Sequence, residues 1–440
     1  MKPKALLACY DNGSHLPFFP TNLAYLYSAL DRAGWHVEVW HQDIHHYPDR
    51  DLTKKVEEGF DLVGLGFVAG YYQHAKAVSL SKAINNACNR NSFKFVLGGH
   101  GPAASPKYFL NKLGADHVVI GDGEEAILNL TAPIVQGGRC KPDFWPAYSE
   151  FPMEIYRLHR FPNSDPSAFT VPLLSARGCF YNCSFCARIV KGFCPREAKD
   201  VLEELTWLHY HYGVRDFQFS DELLMSSESR AVEFSEAIMA LRFKIKWDCN
   251  GRLNYADPEV LQIMKKSGCN YVNYGVEALD DEVLRLMNKK LTVETINKGV
   301  EATIDAGLTP GLNIMWGNPG DDAETLRRAV DFLLKYDGVS ELRTIRPVTP
   351  YPGSALFDLA VERGMIEDAA DFYERKHTNS DLFTVSFMPD ISPKEADLML
   401  WKANERLISA YYMRCTMAAS GRARAFYTGQ DATFRGWRAA

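Results

Sequence analysis

The 440-residue sequence contains no apolar run of the ~20 residues that a membrane-spanning helix needs. It also begins without the pattern of an export signal. Lys2 and Lys4 precede the short apolar run Ala5–Cys9, but Tyr10, Asp11 and Asn12 follow at once. Basic residues are not in excess, with 49 Lys and Arg against 55 Asp and Glu, and the formal net charge of −6 argues against phosphate-backbone binding as the main activity. The tail is a local exception, where Arg414, Arg422, Arg424, Arg435 and Arg438 face only Asp431; it reads as a solvated end, not a nucleic-acid arm. Cysteine is too sparse for a disulfide scaffold. Of the ten, three fall within eight residues and the others are scattered, the pattern of a reduced cytoplasmic protein with one metal site.

What remains is an ordinary globular composition, 46% apolar, in a chain too long for a single core. Short apolar runs alternate with helical stretches over the first 130 or so residues. Lys4–Cys9, His36–Trp40, Leu62–Phe67, Phe93–Leu97 and His117–Ile120 read as strands, with helices over Asn22–Ala33, Gln73–Asn89 and Pro106–Leu113. Such alternation predicts a doubly wound, Rossmann-like parallel sheet over residues 1–136, with a ligand crevice at its strand ends. Residues 137–170, dense in Pro and aromatics, read as a linker. A second series of six strand–helix units, from Val171–Ala176 to Leu342–Pro347, predicts a partial (β/α)6 barrel over 171–365 with its active residues at the C-terminal strand ends. Residues 366–440 read as a small helical region and basic tail. There Ser392, Pro393 and Glu395 form a helix-start signal, and Met399, Leu400, Ala403, Leu407, Ile408 and Tyr411 mark a packing face.

The densest chemistry follows the first barrel strand, in the run Arg177-Gly178-Cys179-Phe180-Tyr181-Asn182-Cys183-Ser184-Phe185-Cys186. Iron–sulfur clusters are held by cysteine thiolates, and three on one short loop leave one iron of a cubane open to a chelating substrate. The bland alternative is a zinc site completed by a distant ligand such as Cys194, although zinc loops usually offer cysteines in C-x2-C pairs.

This C-x3-C-x2-C loop, with an aromatic before its last cysteine, resembles the signature of the radical S-adenosylmethionine superfamily. The resemblance implies a [4Fe–4S] cluster on Cys179, Cys183 and Cys186 and reductive cleavage of S-adenosylmethionine to a 5′-deoxyadenosyl radical. It extends through the second series and implies a set of S-adenosylmethionine contacts. Phe185 lies within the loop. Asp221 and Glu222, in Phe219-Ser220-Asp221-Glu222, match an acidic motif that receives the methionine amino group. Asn250 and Arg252, in Trp247-Asp248-Cys249-Asn250-Gly251-Arg252, match a segment contacting the methionyl part. Glu277, in Tyr274-Gly275-Val276-Glu277-Ala278, would bind ribose hydroxyls, and Lys289 would supply a second cation. Gly317-Asn318-Pro319-Gly320 matches the fifth-strand turn, although Asp321 stands where relatives often carry Glu.

The N-terminal region resembles the cobalamin-binding module fused to many members of that superfamily. Thr21 and Asn22 open its first helix, Gly98 and Gly99 close its fourth strand, and Gly121, Gly123 and Glu124 close its fifth; the resemblance implies cobalamin contacts at these residues. Asp43-Ile44-His45 begins the D-x-H-x-x-G motif of free corrinoid proteins, but Asp49 replaces its glycine. The implied corrinoid therefore lacks a protein imidazole below cobalt.

The functional expectation is a cobalamin-dependent radical enzyme methylating an unactivated carbon or phosphorus of a small-molecule or natural-product substrate, with a flavodoxin- or ferredoxin-type electron donor and no nucleic-acid or membrane partner. One alternative is cyclisation, rearrangement or oxidation without methyl transfer, with or without cobalamin. Another is a non-catalytic corrinoid or iron–sulfur carrier. A transfer-RNA methylthiotransferase would need an auxiliary cluster on Cys9, Cys88 and Cys140, and Cys88 is expected inside a helix.

Overall fold

The computed structural model describes residues 2–11, 13, 17–68, 70–139, 142–156, 169–339 and 342–431. Runs of Val, Leu, Ile and Ala bury both faces of the first sheet, as helices on either side of a parallel sheet require. Its strands are β1 (Lys4–Cys9), β2 (His36–Trp40), β3 (Leu62–Gly66), β4 (Lys94–Gly98), β5 (His117–Gly121) and β6 (Ile134–Gly138). All are parallel, in the order β2-β1-β3-β4-β5-β6. Strand order reverses between β1 and β3, and an open sheet of this topology has its ligand crevice over the carboxyl ends at that point. Strand β6 has no counterpart in the sequence reading, and the expected linker begins inside it. Its glycines hide the strand signal but are required: a Cβ on Gly137 would come within 2.1 Å of the Asp122 carbonyl oxygen.

The second sheet starts with β7 (Thr170–Leu173). An antiparallel hairpin, β8 (Ala176–Cys179) and β9 (Gly192–Pro195), follows before the sheet resumes with β10 (Asp216–Phe219), β11 (Lys246–Gly251), β12 (Cys269–Glu277), β13 (Thr309–Trp316) and β14 (Arg346–Pro347). Six parallel strands in the order β14-β13-β12-β11-β10-β7 form a half-barrel with helices outside it. The single strand expected over Val171–Ala176 is divided because Ser175 turns away from the sheet. Its N–H donates to Asp221 Oδ1 (2.6 Å) and its carbonyl accepts from the Arg196 N–H (2.8 Å). The last strand shortens from the expected Leu342–Pro347 to two residues.

Helix starts follow local side-chain chemistry. Asp257, Asp280, Thr292 and Asp322 each accept from backbone N–H groups of the turn they begin. Ser392 and Glu395 form the expected capping box of the helix Pro393–Tyr427, which buries Ala396, Leu400, Ala403 and Leu407 and leaves Ile408 exposed. Arg414 on this helix is not free in solvent, since its Nε donates to Asp337 Oδ2 at 2.8 Å. Cys88 lies beyond the end of the helix Tyr71–Asn85, not within it, and Cys140 falls outside the described residues. Among the described residues no helix is long and apolar enough to cross a membrane.

A buried ionic group ties Tyr148, in the segment after the first sheet, to the half-barrel. The Arg196 guanidinium donates to Glu204 Oε2 (2.6 Å) and to the Leu174 carbonyl (2.8 Å), and the Tyr148 hydroxyl donates to Glu204 Oε1 (2.6 Å). Burial pushes the Glu204 carboxyl up despite these partners. Arg196→Met should cost ~3–5 kcal/mol by leaving an uncompensated buried charge, and adding Glu204→Gln should recover most of that loss. Equilibrium denaturation of both variants checks this, and equal stability of the single and double variants would exclude it.

Candidate active site

The β8–β9 hairpin presents the three motif cysteines. Cys179 ends β8, and Cys183 and Cys186 lie on the loop toward β9. Backbone bonds tie this loop to the half-barrel: the Ser184 N–H donates to the Met287 carbonyl (2.9 Å), and the Ser184 carbonyl accepts from the Leu356 N–H (2.8 Å). Asn288 Nδ2 donates to the Asn182 carbonyl (2.7 Å), and Arg188 Nη1 to Asn182 Oδ1 (2.9 Å). Cys186 keeps an exposed surface, yet local desolvation pushes its thiol up to about 11, with the Cys183 thiol and the Glu222 carboxylate adding to the shift. Three cysteines on one loop whose thiols act electrostatically on one another fit a cationic iron cluster, which stabilises their thiolate forms. Cys194 pairs in register with Arg177, while Cys179 faces Gly192.

Several residues singled out in the sequence converge beside the loop. Lys289 Nζ sits 5.8 Å from the centre of the Phe185 ring and donates to Glu277 Oε1 (2.9 Å). Arg252 donates to the Lys289 carbonyl, and its guanidinium stands 3.6 Å over the Tyr181 ring. Arg252, Glu277 and Lys289 are all buried, and Arg252 Nε has no partner among the described residues. Glu277 occupies the left-handed region, φ 69°, just after a register shift in β12. A non-glycine residue held there marks local strain, which accumulates at ligand sites. Gly275 makes room for it, since a Cβ there would lie 2.1 Å from Glu277 Oε1. One orphaned buried guanidinium nitrogen and one strained carboxylate next to the cysteine loop fit a zwitterionic nucleoside such as S-adenosylmethionine.

The half-barrel interior continues as an amide ladder. Asn250 Nδ2 donates to the Asp221 carbonyl (2.7 Å), Asn273 Nδ2 to Asn250 Oδ1 (2.9 Å), and Asn313 Nδ2 to Asn273 Oδ1 (2.8 Å). Below it Arg343 donates to the Tyr271 hydroxyl, with its Nε unpartnered among the described residues. The two acidic residues of the Asp221–Glu222 motif part company. Asp221 is buried and accepts from both the N–H and the hydroxyl of Ser175, whereas Glu222 is exposed, with Arg139 Nη2 3.8 Å away. Asp321 is also occupied locally, closing its turn by accepting from the Gly317 and Asn318 N–H groups.

Over the first sheet, the β1/β3 crevice is flanked by exposed Val68 and Tyr72. A Cβ on Gly98 would meet nothing within 4 Å, whereas one on Gly99 (φ +89°) would lie 2.6 Å from the Phe67 carbonyl oxygen. Open space and apolar rims at a switch point fit a large macrocycle with a nucleotide tail. Thr21 and Asn22 start the first helix at the surface without capping it. His45 is exposed, its ring 4.9 Å from that of Tyr47, while Asp43 turns inward. The β5 end also meets the cysteine hairpin. Arg177 Nη2 meets Glu124 Oε1 at 2.5 Å and its Nη1 lies 3.5 Å from Asp122; Arg139 lies 3.6 Å from Asp122 and donates to the Val190 carbonyl (2.9 Å). A Cβ on Gly121 would press on the Gly138 carbonyl and on Val190, and Gly123 lies under Leu26. The hairpin is thus seated on the first sheet as well as on the half-barrel. Sequence reading did not identify Arg139, Asp122 or Ser175; an arginine two residues before the first cysteine was the available signal.

An open sheet and a half-barrel sharing one three-cysteine hairpin define a class of two-module radical enzymes. The family profile described as the Radical SAM superfamily matches residues 173–333, and that of the B12 binding domain matches residues 13–131. The chain therefore carries a domain of the radical S-adenosylmethionine superfamily, with a B12-binding domain ahead of it. The cofactors of these two domain families are the cluster, S-adenosylmethionine and cobalamin that the sequence implies. An uncharacterized methyltransferase of Pyrococcus horikoshii is 26% identical over 79% of this chain and 79% of its own. The anaerobic magnesium-protoporphyrin IX monomethyl ester cyclase of Rubrivivax gelatinosus is 24% identical over 77% of this chain and 65% of its own. Cytidylyl-2-hydroxyethylphosphonate methyltransferase of Streptomyces wedmorensis is 24% identical over 81% and 80%. In fold the chain resembles the radical S-adenosylmethionine methyltransferase TsrM of Kitasatospora setae, with a TM-score of 0.66 and 19% identity over 82% of this chain and 78% of that one. It also resembles the cobalamin-dependent radical enzyme OxsB, with a TM-score of 0.63 and 16% identity over 83% and 56%.

Burial raises the Asp221 carboxyl to about 6, partly offset by its bonds from Ser175. A carboxyl raised on folding stabilises the fold fully below its unfolded pKa, and that contribution disappears as pH rises from about 4 to about 6. Asp221→Asn mimics the protonated form, so wild type should lose up to ~3 kcal/mol relative to this variant across that window and nothing further above it. Parallel anaerobic denaturation series at stepped pH measure the difference, and a flat difference would rule the shift out.

Proposed function

We propose that Cys179, Cys183 and Cys186 hold a [4Fe–4S] cluster, that S-adenosylmethionine binds beside it and cobalamin over the β1/β3 crevice, and that the enzyme methylates an unactivated carbon or phosphorus of a small-molecule substrate. The observation that carries the reading is the seating of the cysteine hairpin on both sheets, which brings the cluster loop against the strand ends of the B12-type domain. When bound, these groups supply reductive cleavage of the sulfonium and transfer of a methyl group.

The chain's own residues bind and orient. The fork of Arg252 suits the methionyl carboxylate. Exposed Glu222, beside Cys186, suits the amino group, while Asp221 holds Ser175 and the hairpin root. Glu277, oriented by Lys289, offers a carboxylate to ribose hydroxyls, Phe185 shields the loop, and Asn250 anchors the amide ladder. Gly98 and Gly99 leave room for a nucleotide tail; Gly121, Gly123 and Glu124 stand as corrinoid contacts that also hold the hairpin in place. Thr21 and Asn22 remain candidates at the outer rim of the corrinoid site. Asn273, Asn313, Tyr271 and Arg343 line the half-barrel below, where a small substrate would sit. The methyltransferase relatives support methyl transfer, and the cyclase relative supports ring closure as the second reading. The contact chain from Phe185 to Glu277 argues against a simple carrier. A flavodoxin- or ferredoxin-type donor would supply the electron, and a cytoplasmic location suits the reduced thiols.

With its substrate the enzyme should yield S-adenosylhomocysteine, 5′-deoxyadenosine and methylated product in near-equal amounts, and deuterium at the target carbon should enter 5′-deoxyadenosine. 5′-Deoxyadenosine and product without S-adenosylhomocysteine would replace methylation with the ring-closing reading. A triple alanine variant of the three cysteines should lose its iron and all 5′-deoxyadenosine formation; retained cleavage would refute the cluster assignment. Arg252→Ala should weaken S-adenosylmethionine binding by ~1.5–3 kcal/mol, one to two decades in calorimetry, with iron content unchanged.

A further inference from the structure

The carboxyl ends of β1 and β2 bring together a second group of metal-binding side chains, in a different sheet from the cysteine hairpin. The parallel pairing of Ala8 with Trp40 places the next residues, Cys9 and His41, side by side, and Asp43 follows two residues later. The thiol sulfur, an imidazole nitrogen and a carboxylate oxygen of these three residues all lie within 4.8 Å of one another. Cys9 is 2% and Asp43 6% exposed. Tyr156 covers the group, its hydroxyl donating to Asp43 Oδ2 (3.2 Å) and lying 3.4 Å from His41 Nδ1.

Hydrogen bonding alone leaves this group incomplete. Asp43 Oδ1 is buried without a partner at hydrogen-bond distance among the described residues, and the groups that act most on the carboxylate, the Tyr156 hydroxyl, the Cys9 thiol and the N–H groups of Asp43 and Ile44, are uncharged donors. Burying an ionised carboxylate without a counter-charge is costly, and buried charges are ordinarily paired or bound to metal. A divalent ion supplies that charge at the one place reached by all three donors. One sulfur, one nitrogen and one oxygen suit a borderline-soft tetrahedral ion, and zinc is bound by these three ligand types. Three protein ligands leave a fourth position for water or for the Tyr156 oxygen.

We propose that Cys9, His41 and Asp43 form a mononuclear zinc site. On binding, the Cys9 thiol releases its proton to solvent and the thiolate, neutral imidazole and carboxylate coordinate the ion. No oxidation or reduction is involved. The site ties together the segments that leave β1 and β2 and the segment carrying Tyr156. Asp11, two residues after Cys9 and hydrogen-bonded to His46 (2.7 Å), stands at the rim of the β1/β3 crevice, so the ion would brace one wall of that crevice. This inference is independent of the reaction assigned above.

The test uses the full-length protein, purified anaerobically with its iron–sulfur cluster reconstituted and dialysed against zinc, then against zinc-free buffer. Elemental analysis should find about one zinc per chain, and zinc K-edge X-ray absorption should show one sulfur at ~2.3 Å with nitrogen and oxygen at ~2.0–2.2 Å. Cys9→Ser and Asp43→Asn should each cut retained zinc at least ~10-fold while iron is unchanged, because each removes a ligand whose binding energy no neighbour replaces. No retained zinc, a shell without sulfur, or a shell of several sulfurs would overturn the proposal, as would undiminished zinc in both variants. If a variant also loses iron, the absorption spectrum of the unaltered protein decides: one sulfur upholds the site and any other shell overturns it.

Discussion

The arrangement of the molecule depends on the ionic contact between Arg177 and the β5 end of the first sheet. Arg177 lies two residues before Cys179, and both of its carboxylate partners, Glu124 and Asp122, come from the other module. Opposite charges drawn into a partly desolvated seam interact strongly, and the geometry must be good for the desolvation cost to be met. Arg139 supports the same seam by reaching Asp122 and the Val190 carbonyl. The glycines at 121, 137 and 178 let backbones close around it, since a Cβ at each would meet a carbonyl oxygen at 2.5 Å or less. Two separate parallel sheets therefore share one cysteine loop in a fixed position.

On the half-barrel side the same loop rests on backbone groups of Met287 and Leu356, which follow β12 and the β14 turn. Strain is concentrated nearby at Glu277, whose left-handed backbone and register shift turn its carboxylate toward Lys289. The amide ladder from Asn250 to Asn313 holds neighbouring strands in register with polar groups where a plain core would have apolar ones. Interior polarity of this kind is costly unless satisfied, and here each amide bonds to the next.

How legible the site was depended on the kind of information each residue carries. Arg252 and Glu277 lie at strand ends of a series whose periodicity is plain in the chain, Phe185 lies in the cysteine loop and Lys289 follows the helix Asp281–Leu286; the fold brings the four into one contact chain. Asp221 and Glu222 look equivalent as neighbours in sequence, but opposite sides of one backbone face different surroundings, so one is buried on Ser175 and the other exposed near Cys186. Glu124 sits in a glycine-rich strand end, which invites a ligand-binding reading; only the packed structure shows an arginine from 53 residues away meeting it.

By itself the sequence determined the alternation of strands and helices, the three-cysteine loop and the helix caps, because these follow from side-chain period and from contacts a few residues apart. It also determined the two-module order, since each module's strands occupy a continuous stretch of chain. Tertiary structure alone decided that β6 joins the first sheet, that Ser175 breaks the first barrel strand, and that Cys9, His41 and Asp43 meet. Those outcomes depend on partners distant in the chain, whose pairing is set by strand order and burial and leaves no local pattern to read.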